Sequence, residues 1–212
     1  MQIKKFEFNH FPVNTYLISD ETGEAAVIDC GCYFPEEEEL FKNYLTDHNL
    51  SLKLVLNTHL HLDHAFGNAF LEEQYGLSPI TNEAEVTQLP NLAMQSQPFG
   101  IKLRRDGSEV TQFINDGEMV RFGNTTLKAI LIPGHSPGGL AFYCEKAKVV
   151  FVGDILFKGS IGRTDLWGGN YDLLISGIKS KLLALPDDTV VYSGHGPETT
   201  IGYEKRTNTF LR

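Results

Sequence analysis

Three histidines and one aspartate are concentrated in the short stretch His59-Leu60-His61-Leu62-Asp63-His64. The stretch directly follows the apolar run Leu54-Val55-Leu56, which is typical of a buried strand. Burying so many polar side chains together is costly unless a positive charge gathers them, and a divalent cation does this best. The stretch therefore predicts one half of a metal site.

The spacing of these residues indicates how they bind. In an extended segment, residues two apart point to the same side, so His59 and His61 can bind one ion from the end of a strand. Asp63 and His64 are then expected to begin a helix and to face a second ion beside the first. A zincin helix has a different spacing, with two histidines four residues apart and a glutamate between them.

Three further apolar segments lead, through a glycine, into a residue type that binds metals. If the three strands lie side by side and run in the same direction, these side chains meet at one edge of a sheet, next to the motif. Five of the seven histidines fall at such strand ends, and the other two, His10 and His48, are expected to be structural. The segments are residues 126–132 before His135, residues 149–152 before Asp154 and residues 189–192 before His195.

The motif His-x-His-x-Asp-His, followed by Ala65-Phe66-Gly67-Asn68, resembles the signature of the metallo-β-lactamase-fold hydrolases. Within that family the chain is most similar to the glyoxalase II-like (hydroxyacylglutathione hydrolase-like) branch. The resemblance implies an α/β fold, the αββα sandwich, in which two mixed β-sheets are flanked by helices and the metals lie at one edge. We expect residues 1–212 to form a single domain of this kind.

The resemblance also implies a complete set of metal ligands and two divalent metal ions per chain. Zinc is the expected metal, with iron or manganese as alternatives, because histidine and carboxylate ligands accept all three. The implied ligands are His59, His61 and His135 for the first ion, Asp63, His64 and His195 for the second, and Asp154 as the bridge.

The activity implied by the resemblance is metal-dependent hydrolysis of a thioester, such as S-lactoylglutathione or a related hydroxyacyl thioester. Two cations about 3.5–4 Å apart can share a hydroxide, because coordination lowers the pKa of water from about 15.7 to about 7. The bridging hydroxide is expected to attack the carbonyl carbon, after which the thiolate leaves. Asp63 is also expected to have a catalytic role, in which it orients this hydroxide.

Two departures from glyoxalase II concern the substrate. Glyoxalase II carries a C-terminal helical domain that contacts glutathione, whereas residues 194–206 of this chain resemble the end of the short, single-domain hydrolases. Gly162-Arg163-Thr164-Asp165 stands where glyoxalase II has a lysine and a tyrosine that contact glutathione. Arg163 either binds a substrate carboxylate or forms a structural ion pair with Asp165.

Other members of the fold give alternative functions. Persulfide dioxygenases share the motif and a Gly-Arg-Thr-Asp segment but use a single iron bound by two histidines and an aspartate. Here Gly-His-Gly-Pro at residues 194–197 favours the hydrolase. A β-lactamase is disfavoured because Asp154, and no cysteine, occupies the bridging position and because no export signal is visible.

The net charge of −9 argues against nucleic acid or an anionic membrane as a partner, because both favour a basic surface. A small-molecule substrate is expected, for a monomer or a homodimer. No long apolar run follows the first lysines, so the expected location is the cytoplasm. Three cysteines do not make a disulfide framework; Cys30 and Cys32 are expected to be reduced loop thiols, with a redox pair or an extra metal ligand as the alternative.

Periodicity and turn residues predict the remaining elements. Residues 83–117 are the least periodic segment, and either cover the site or form a surface excursion. The predicted strands are residues 2–8, 15–18, 25–29 and 51–57, with a turn at 12–14; the predicted helices begin at Pro35 and span 63–75, ending at Gly76, and 172–185.

Overall fold

The computed structural model describes residues 1–212, and most of its strands form two six-stranded mixed sheets that pack face to face. Side chains from both sheets, including Ile18 and Ile28 of the first and Leu127 and Phe142 of the second, form the core between them. Helices cover the outer face of each sheet. The predicted arrangement of helix, sheet, sheet and helix is confirmed.

The first sheet is built from residues 2–113. Its first three strands are antiparallel, and the next three join in parallel, through helical crossovers. In sheet order the strands are β1 (Gln2–Phe8), β2 (Val13–Ser19), β3 (Glu24–Ile28), β4 (Ser51–Leu56), β5 (Pro79–Thr81) and β6 (Gln112–Phe113). The helices of this half are α1 (Pro35–Asp47), α2 (Leu62–Ala65), α3 (Asn68–Tyr75), α4 (Glu83–Gln88) and α5 (Leu92–Ser96), which leads into a 3-10 turn at Gln97–Phe99.

The second sheet is built from the rest of the chain, in the order β14, β13, β10, β9, β8, β7. None of the helices in either half has the length and apolar character needed to cross a membrane. The strands are β7 (Met119–Phe122), β8 (Thr125–Leu131), β9 (Leu140–Cys144), β10 (Val149–Gly153), β13 (Val190–Ser193) and β14 (Thr199–Thr200), with a separate hairpin of β11 (Leu156–Phe157) and β12 (Ser160–Ile161). The helical elements are α6 (Tyr171–Gly177), a π-helical turn (Ile178–Leu182), α7 (Ile201–Thr207) and a 3-10 turn (Thr209–Leu211).

Helix α1 begins at Pro35, as predicted, because proline suits the first helical position and the carboxylates of residues 36–38 offset the positive end of the helix dipole. The carboxylate of Glu37 accepts hydrogen bonds from the backbone N–H groups of Tyr33 and Phe34 at 2.7 and 3.0 Å. These bonds tie the chain before the helix to its first turn. Phe41 and Leu45 then pack on the first sheet, and a fully buried side chain of this size contributes about 1.5–3 kcal/mol.

Strands β8, β10 and β13 are the apolar segments that precede His135, Asp154 and His195, and all three run in the same direction, as predicted. β10 and β13 are parallel neighbours, but β9 lies between β8 and β10 and runs the opposite way. The predicted side-by-side arrangement is therefore wrong for β8. His135 still reaches the same edge because it lies in the turn that joins β8 to β9.

Two predicted boundaries are also wrong. Strand β2 begins at Val13, so the chain reverses at residues 9–12 and not at 12–14. The helix predicted over residues 63–75 is split into α2 and α3. At the break, the N–H of Gly67 donates to the carbonyl of Cys30 at 2.9 Å, and a Cβ on Gly67 would lie 2.6 Å from the Cys30 sulfur. This contact between distant segments overrides the helical periodicity.

Residues 83–117 contain only short elements, in agreement with their weak periodicity. Their first part packs against the metal-ligand motif, where the side chain of Gln95 donates to the carbonyl of Leu60 at 3.0 Å. Their second part is tied to α1 and α3, because Arg105 pairs with Glu38 and, at 2.8 Å, with Glu73. The segment is therefore anchored to the motif through its first part and to the helices of the first sheet through its second.

Candidate metal centre

The predicted ligand residues meet at one edge of the sandwich, where both sheets contribute. The predicted ligands form two groups there, each with ligand atoms that all lie within 4.8 Å of one another, and a third group of the same kind combines His59 and His64 with Asp29. The imidazole group consists of His59, His61 and His135, and the mixed group consists of Asp63, His64 and His195.

Asp154 lies between the two groups. One of its carboxylate oxygens, Oδ2, is 3.7 Å from Nε2 of His135 and 3.5 Å from Nε2 of His195. The other oxygen, Oδ1, is 3.4 Å from Nε2 of His64. The resemblance implies Asp154 as the bridge, and its carboxylate lies between the two groups. A glycine is needed beside it, because a Cβ on Gly194 would lie 2.2 Å from Oδ1 of Asp154.

In the imidazole group, three ring nitrogens point at one another. Nε2 of His135 is 3.0 Å from Nδ1 of His61 and 3.2 Å from Nε2 of His59. Ligand nitrogens in a tetrahedral zinc site, with Zn–N of about 2.0–2.1 Å, lie about 3.3 Å apart. The three rings thus have the spacing of ligands around one small cation.

The pKa values of the imidazole group favour the neutral form. Burial, reinforced by the neighbouring imidazoles, lowers the pKa of His61 to about 3 and that of His59 well below its ordinary value. Burial also lowers the pKa of His135. A neutral imidazole is the form that binds a metal, so these three side chains are ready ligands at neutral pH.

The mixed group contains charges of both signs. Oδ2 of Asp63 is 3.2 Å from Nε2 of His195 and 3.6 Å from Nε2 of His64. Burial alone would lower the pKa of both histidines, but the surrounding carboxylates raise it. Burial alone would likewise raise the pKa of the Asp63 and Asp154 carboxyls, but the histidines, His64 above all, lower it. Both carboxylates are therefore ionised at neutral pH.

Three buried side-chain atoms of this centre have no hydrogen-bond partner. One is Nε2 of His61, and the other two, Nε2 of His64 and Oδ1 of Asp154, face each other. Buried polar atoms are nearly always paired, because an unpaired one loses its hydration without compensation. Divalent cations would satisfy the atoms of His64 and Asp154, and the donors present, imidazole nitrogens and carboxylate oxygens, are those that zinc, iron and manganese accept. The residues therefore fit a binuclear site.

Each ligand histidine except His61 is also fixed through its second ring nitrogen. Such contacts set the tautomer and orientation of a metal-binding imidazole. Nδ1 of His59 lies 3.0 Å from Oγ1 of Thr58, Nδ1 of His64 lies 3.0 Å from Oδ2 of Asp29, Nδ1 of His135 lies 2.9 Å from the carbonyl of Arg163, and Nδ1 of His195 lies 3.2 Å from the carbonyl of Pro12.

The loop that bears His195 is held by the second strand of the chain. The side-chain amide of Asn14 donates to the carbonyls of Ser193 and Gly196, each at 2.9 Å. The hydroxyl of Tyr16 donates to the carbonyl of Ser193 at 2.7 Å. The first sheet thus positions a ligand that follows a strand of the second sheet.

Asp29 is a residue of the centre that sequence reasoning missed. Its carboxylate accepts hydrogen bonds from the backbone N–H and the hydroxyl of Thr58, at 2.7 and 2.6 Å, and faces His64. Through these contacts it orients ligands of both groups. The signal was present, because Asp29 follows an apolar strand just as Asp154 does, but residues 25–29 were interpreted only as a strand.

The other singled-out residues lie outside the two groups. The guanidinium of Arg163 forms two hydrogen bonds to Asp165, at 2.7 and 2.8 Å, so the ion-pair alternative describes its side chain in this structure. His10 packs on Phe34, and His48 stacks on Tyr44. The three cysteines, Cys30, Cys32 and Cys144, are buried free thiols, and Cys144 is the last residue of β9.

The profile of the metallo-beta-lactamase superfamily matches residues 9–195, which include every predicted ligand. The chain belongs to the metallo-β-lactamase superfamily. It is 38% identical over 212 residues to the hydroxyacylglutathione hydrolase GloC of Haemophilus influenzae. The aligned region covers 100% of this chain and 98% of that protein.

Two solved structures are similar to this chain at a TM-score of 0.85 each. One is the BLEG-1 B3 metallo-beta-lactamase, with 32% identity and coverage of 99% of both chains. The other is TTHA1623 in a di-iron-bound form, with 33% identity and coverage of 98% of this chain and 100% of that one. The chain is accordingly a metallo-hydrolase of the metallo-β-lactamase fold with a candidate binuclear His/Asp metal site.

Proposed function

We propose that this metallo-hydrolase binds two divalent cations and hydrolyses the thioester bond of a small hydroxyacyl thioester such as S-lactoylglutathione. The observation that supports the binuclear site is the presence of two complete donor groups that share Asp154 and leave buried atoms of His64 and Asp154 unpaired. The imidazole group would hold the first cation and the mixed group the second. Zinc is the expected metal, with iron or manganese as alternatives.

The cations would supply a nucleophile near neutral pH, by lowering the pKa of water, and would polarise the carbonyl that it attacks. The remaining work falls to the side chains. Asp63 is ionised and fixed by His195, so a free lone pair of its carboxylate is available to orient the attacking hydroxide. His195 is the most exposed of the ligands, with 28% of its side chain accessible, so substrate would approach from the side of the mixed group.

The thioester specificity is supported by similarity and by chemistry. GloC is named a hydroxyacylglutathione hydrolase and matches this chain over its whole length. A thiolate is a good leaving group and a soft ligand that suits a zinc-like ion. The net charge of −9 also accords with a small-molecule substrate, in contrast to a polyanion.

The test combines metal analysis with S-lactoylglutathione hydrolysis on the same protein sample. We expect about two metal ions per chain and hydrolysis that is lost in both His59→Ala and Asp154→Ala. A single iron per chain, no thioester cleavage and oxygen consumption with glutathione persulfide would overturn the proposal in favour of a persulfide dioxygenase.

A β-lactam is the second candidate substrate, because the chain is 32% identical to the BLEG-1 B3 metallo-beta-lactamase over 99% of both chains. A chromogenic cephalosporin should therefore be assayed beside the thioester. If kcat/KM for the β-lactam exceeds that for S-lactoylglutathione, the thioester assignment is wrong while the metal site stands.

A further inference from the structure

Glu85 is a buried carboxylate with no cationic partner. It lies in α4, in the segment beside the motif, and only 1% of the residue is accessible. No lysine, arginine or histidine lies within ion-pair distance of it. Instead, Oε2 accepts the backbone N–H of Leu60 at 2.9 Å and Oε1 accepts the backbone N–H of Gly138 at 2.6 Å. One carboxylate thus connects two loops far apart in sequence.

These two loops are the ones that bear the imidazole group. Leu60 lies between His59 and His61, and Gly138 lies three residues after His135. The carbonyl of Leu60 is held as well, because Gln95 donates to it at 3.0 Å. The backbone N–H and the carbonyl of Leu60 are therefore both held by side chains of residues 83–117.

The geometry around Glu85 leaves little freedom. A Cβ on Gly138 would lie 2.9 Å from Asn82 and 3.1 Å from Cγ of Glu85, so only glycine allows this approach. Asn82 begins α4 by accepting the N–H of Ala84 at 3.1 Å, and its amide donates to the carbonyl of Ile114 at 3.2 Å. These hydrogen bonds fix the start of α4, and the helix in turn places Glu85 beside the two loops.

We propose that Glu85 is a positioning residue for the first metal site, which holds the three nitrogens of the imidazole group at ligand spacing through the backbones of Leu60 and Gly138. This inference rests on the proposed function only in assuming that the imidazole group binds a cation. Neither hydrogen bond reaches Asp63, His64 or His195. Loss of the carboxylate should therefore weaken one metal site and spare the other.

Glu85→Gln tests this at nearly constant volume. An amide has one acceptor oxygen, so its NH₂ must face one of the two backbone N–H groups, and one loop is released. The readout is the Zn²⁺ affinity of the metal-free protein, measured by calorimetric titration in two backgrounds. His195→Ala leaves the imidazole group as the intact site, and His135→Ala leaves the mixed group.

We expect Glu85→Gln to weaken Zn²⁺ binding about tenfold or more in the His195→Ala background, the size of effect seen when groups that orient ligands are removed. In the His135→Ala background the affinity should stay within about twofold, well below that range. A change of equal size in both backgrounds, or no change in either, would overturn the proposal.

Glu204→Gln is the matched control. Glu204 is also fully buried, and its carboxylate accepts the backbone N–H of Gly159, at 3.0 Å to Oε2, and the hydroxyl of Thr199 at 2.6 Å. Its loss should lower stability without separating the two zinc affinities. If Glu204→Gln reproduces the selective loss, Glu85 has no special role.

If Glu85→Gln does not fold, Gln95→Met in the same two backgrounds decides the matter. It removes the bond to the carbonyl of Leu60 and should weaken the imidazole group alone, by a smaller factor. Failure of the proposed function would look different: the protein with all its ligands intact would bind fewer than two Zn²⁺ ions, or would bind them without cleaving the thioester.

Discussion

The imidazole group and the mixed group lie side by side and share Asp154, yet their electrostatics are opposite. His59, His61 and His135 have lowered pKa values and face one another as neutral rings. His64 and His195 have raised pKa values because carboxylates surround them. Without a metal, the mixed group favours protonated histidines beside its carboxylates, whereas the rings of the imidazole group stay neutral.

The difference shows that two neighbouring sites built from similar residues need not depend on a metal in the same way. For the mixed group a cation replaces protons that are already bound. For the imidazole group a cation would bind neutral rings that hold no extra proton to be displaced. The two sites should therefore respond differently to mutation and to pH.

Replacing Asp154 should impair metal binding by both groups, so that they no longer differ. In Asp154→Ala both groups lose a ligand, and the neighbouring histidines lose the charge that favours a bound cation. We expect less than one metal per chain and a fall in kcat/KM for the thioester of at least about 10³-fold, or ~4 kcal/mol of transition-state stabilisation. Metal analysis and steady-state kinetics check this. Retention of two metals by a folded variant would show that Asp154 is not a ligand.

Asp29→Asn should affect both groups more mildly. The amide cannot accept all the hydrogen bonds from Thr58 and His64 that the carboxylate accepts. Loss of such an orienting contact typically costs about 10–100-fold in metal affinity. Zn²⁺ titration in the His195→Ala and His135→Ala backgrounds should show the larger loss for the mixed group, which Asp29 contacts directly. Equal affinity to the parent in both backgrounds would contradict this role.

Acidification should separate the two groups. The raised pKa values of His64 and His195 mean that, as the pH falls, the mixed group takes up protons that a cation must displace. The lowered pKa values of the imidazole group delay this competition until lower pH. Between pH 7.5 and 5.5 we expect Zn²⁺ affinity to fall by up to about tenfold per pH unit for each proton displaced in the mixed group, and by less in the imidazole group. Identical pH slopes would refute the comparison.

Arg163→Ala should have the smallest effect. The side chain is 55% accessible and pairs with Asp165, which is 66% accessible, and such exposed pairs contribute about 0–1 kcal/mol. The contact with His135 uses the backbone carbonyl of Arg163, which the substitution retains. Thermal unfolding and metal content should therefore match those of Asp165→Ala. A higher KM in Arg163→Ala alone would indicate a substrate carboxylate.

Much of the centre could be predicted from the sequence because its signals are local. An apolar strand, a glycine and a ligand-type residue lie within a few positions of one another before Asp154 and His195, and the motif itself is contiguous. In the fold, the strands β8, β10 and β13 run in the same direction, so the residues that follow them reach the same edge. The structure brings together all the predicted ligands, while their metal binding remains a prediction.

The features that were missed depend on contacts between distant segments. Asp29 acquires its role from Thr58 and His64, and Glu85 acquires its role from Leu60 and Gly138. A single acidic residue in a strand end or a short helix does not reveal such partners. The same reason explains the break between α2 and α3, which is set by Cys30 against Gly67.

The loop of His195 is held by Asn14 and Tyr16, near the opposite end of the chain. During synthesis the N-terminal strands leave the ribosome first, so Asn14 and Tyr16 can form these hydrogen bonds only after the loop of His195 has been made. A cation that meets the nascent chain early finds the motif at residues 59–64 but not His135, Asp154 or His195. Full coordination of the two proposed metals would be possible only after nearly the whole protein has been made, which would place metal loading among the last steps of maturation.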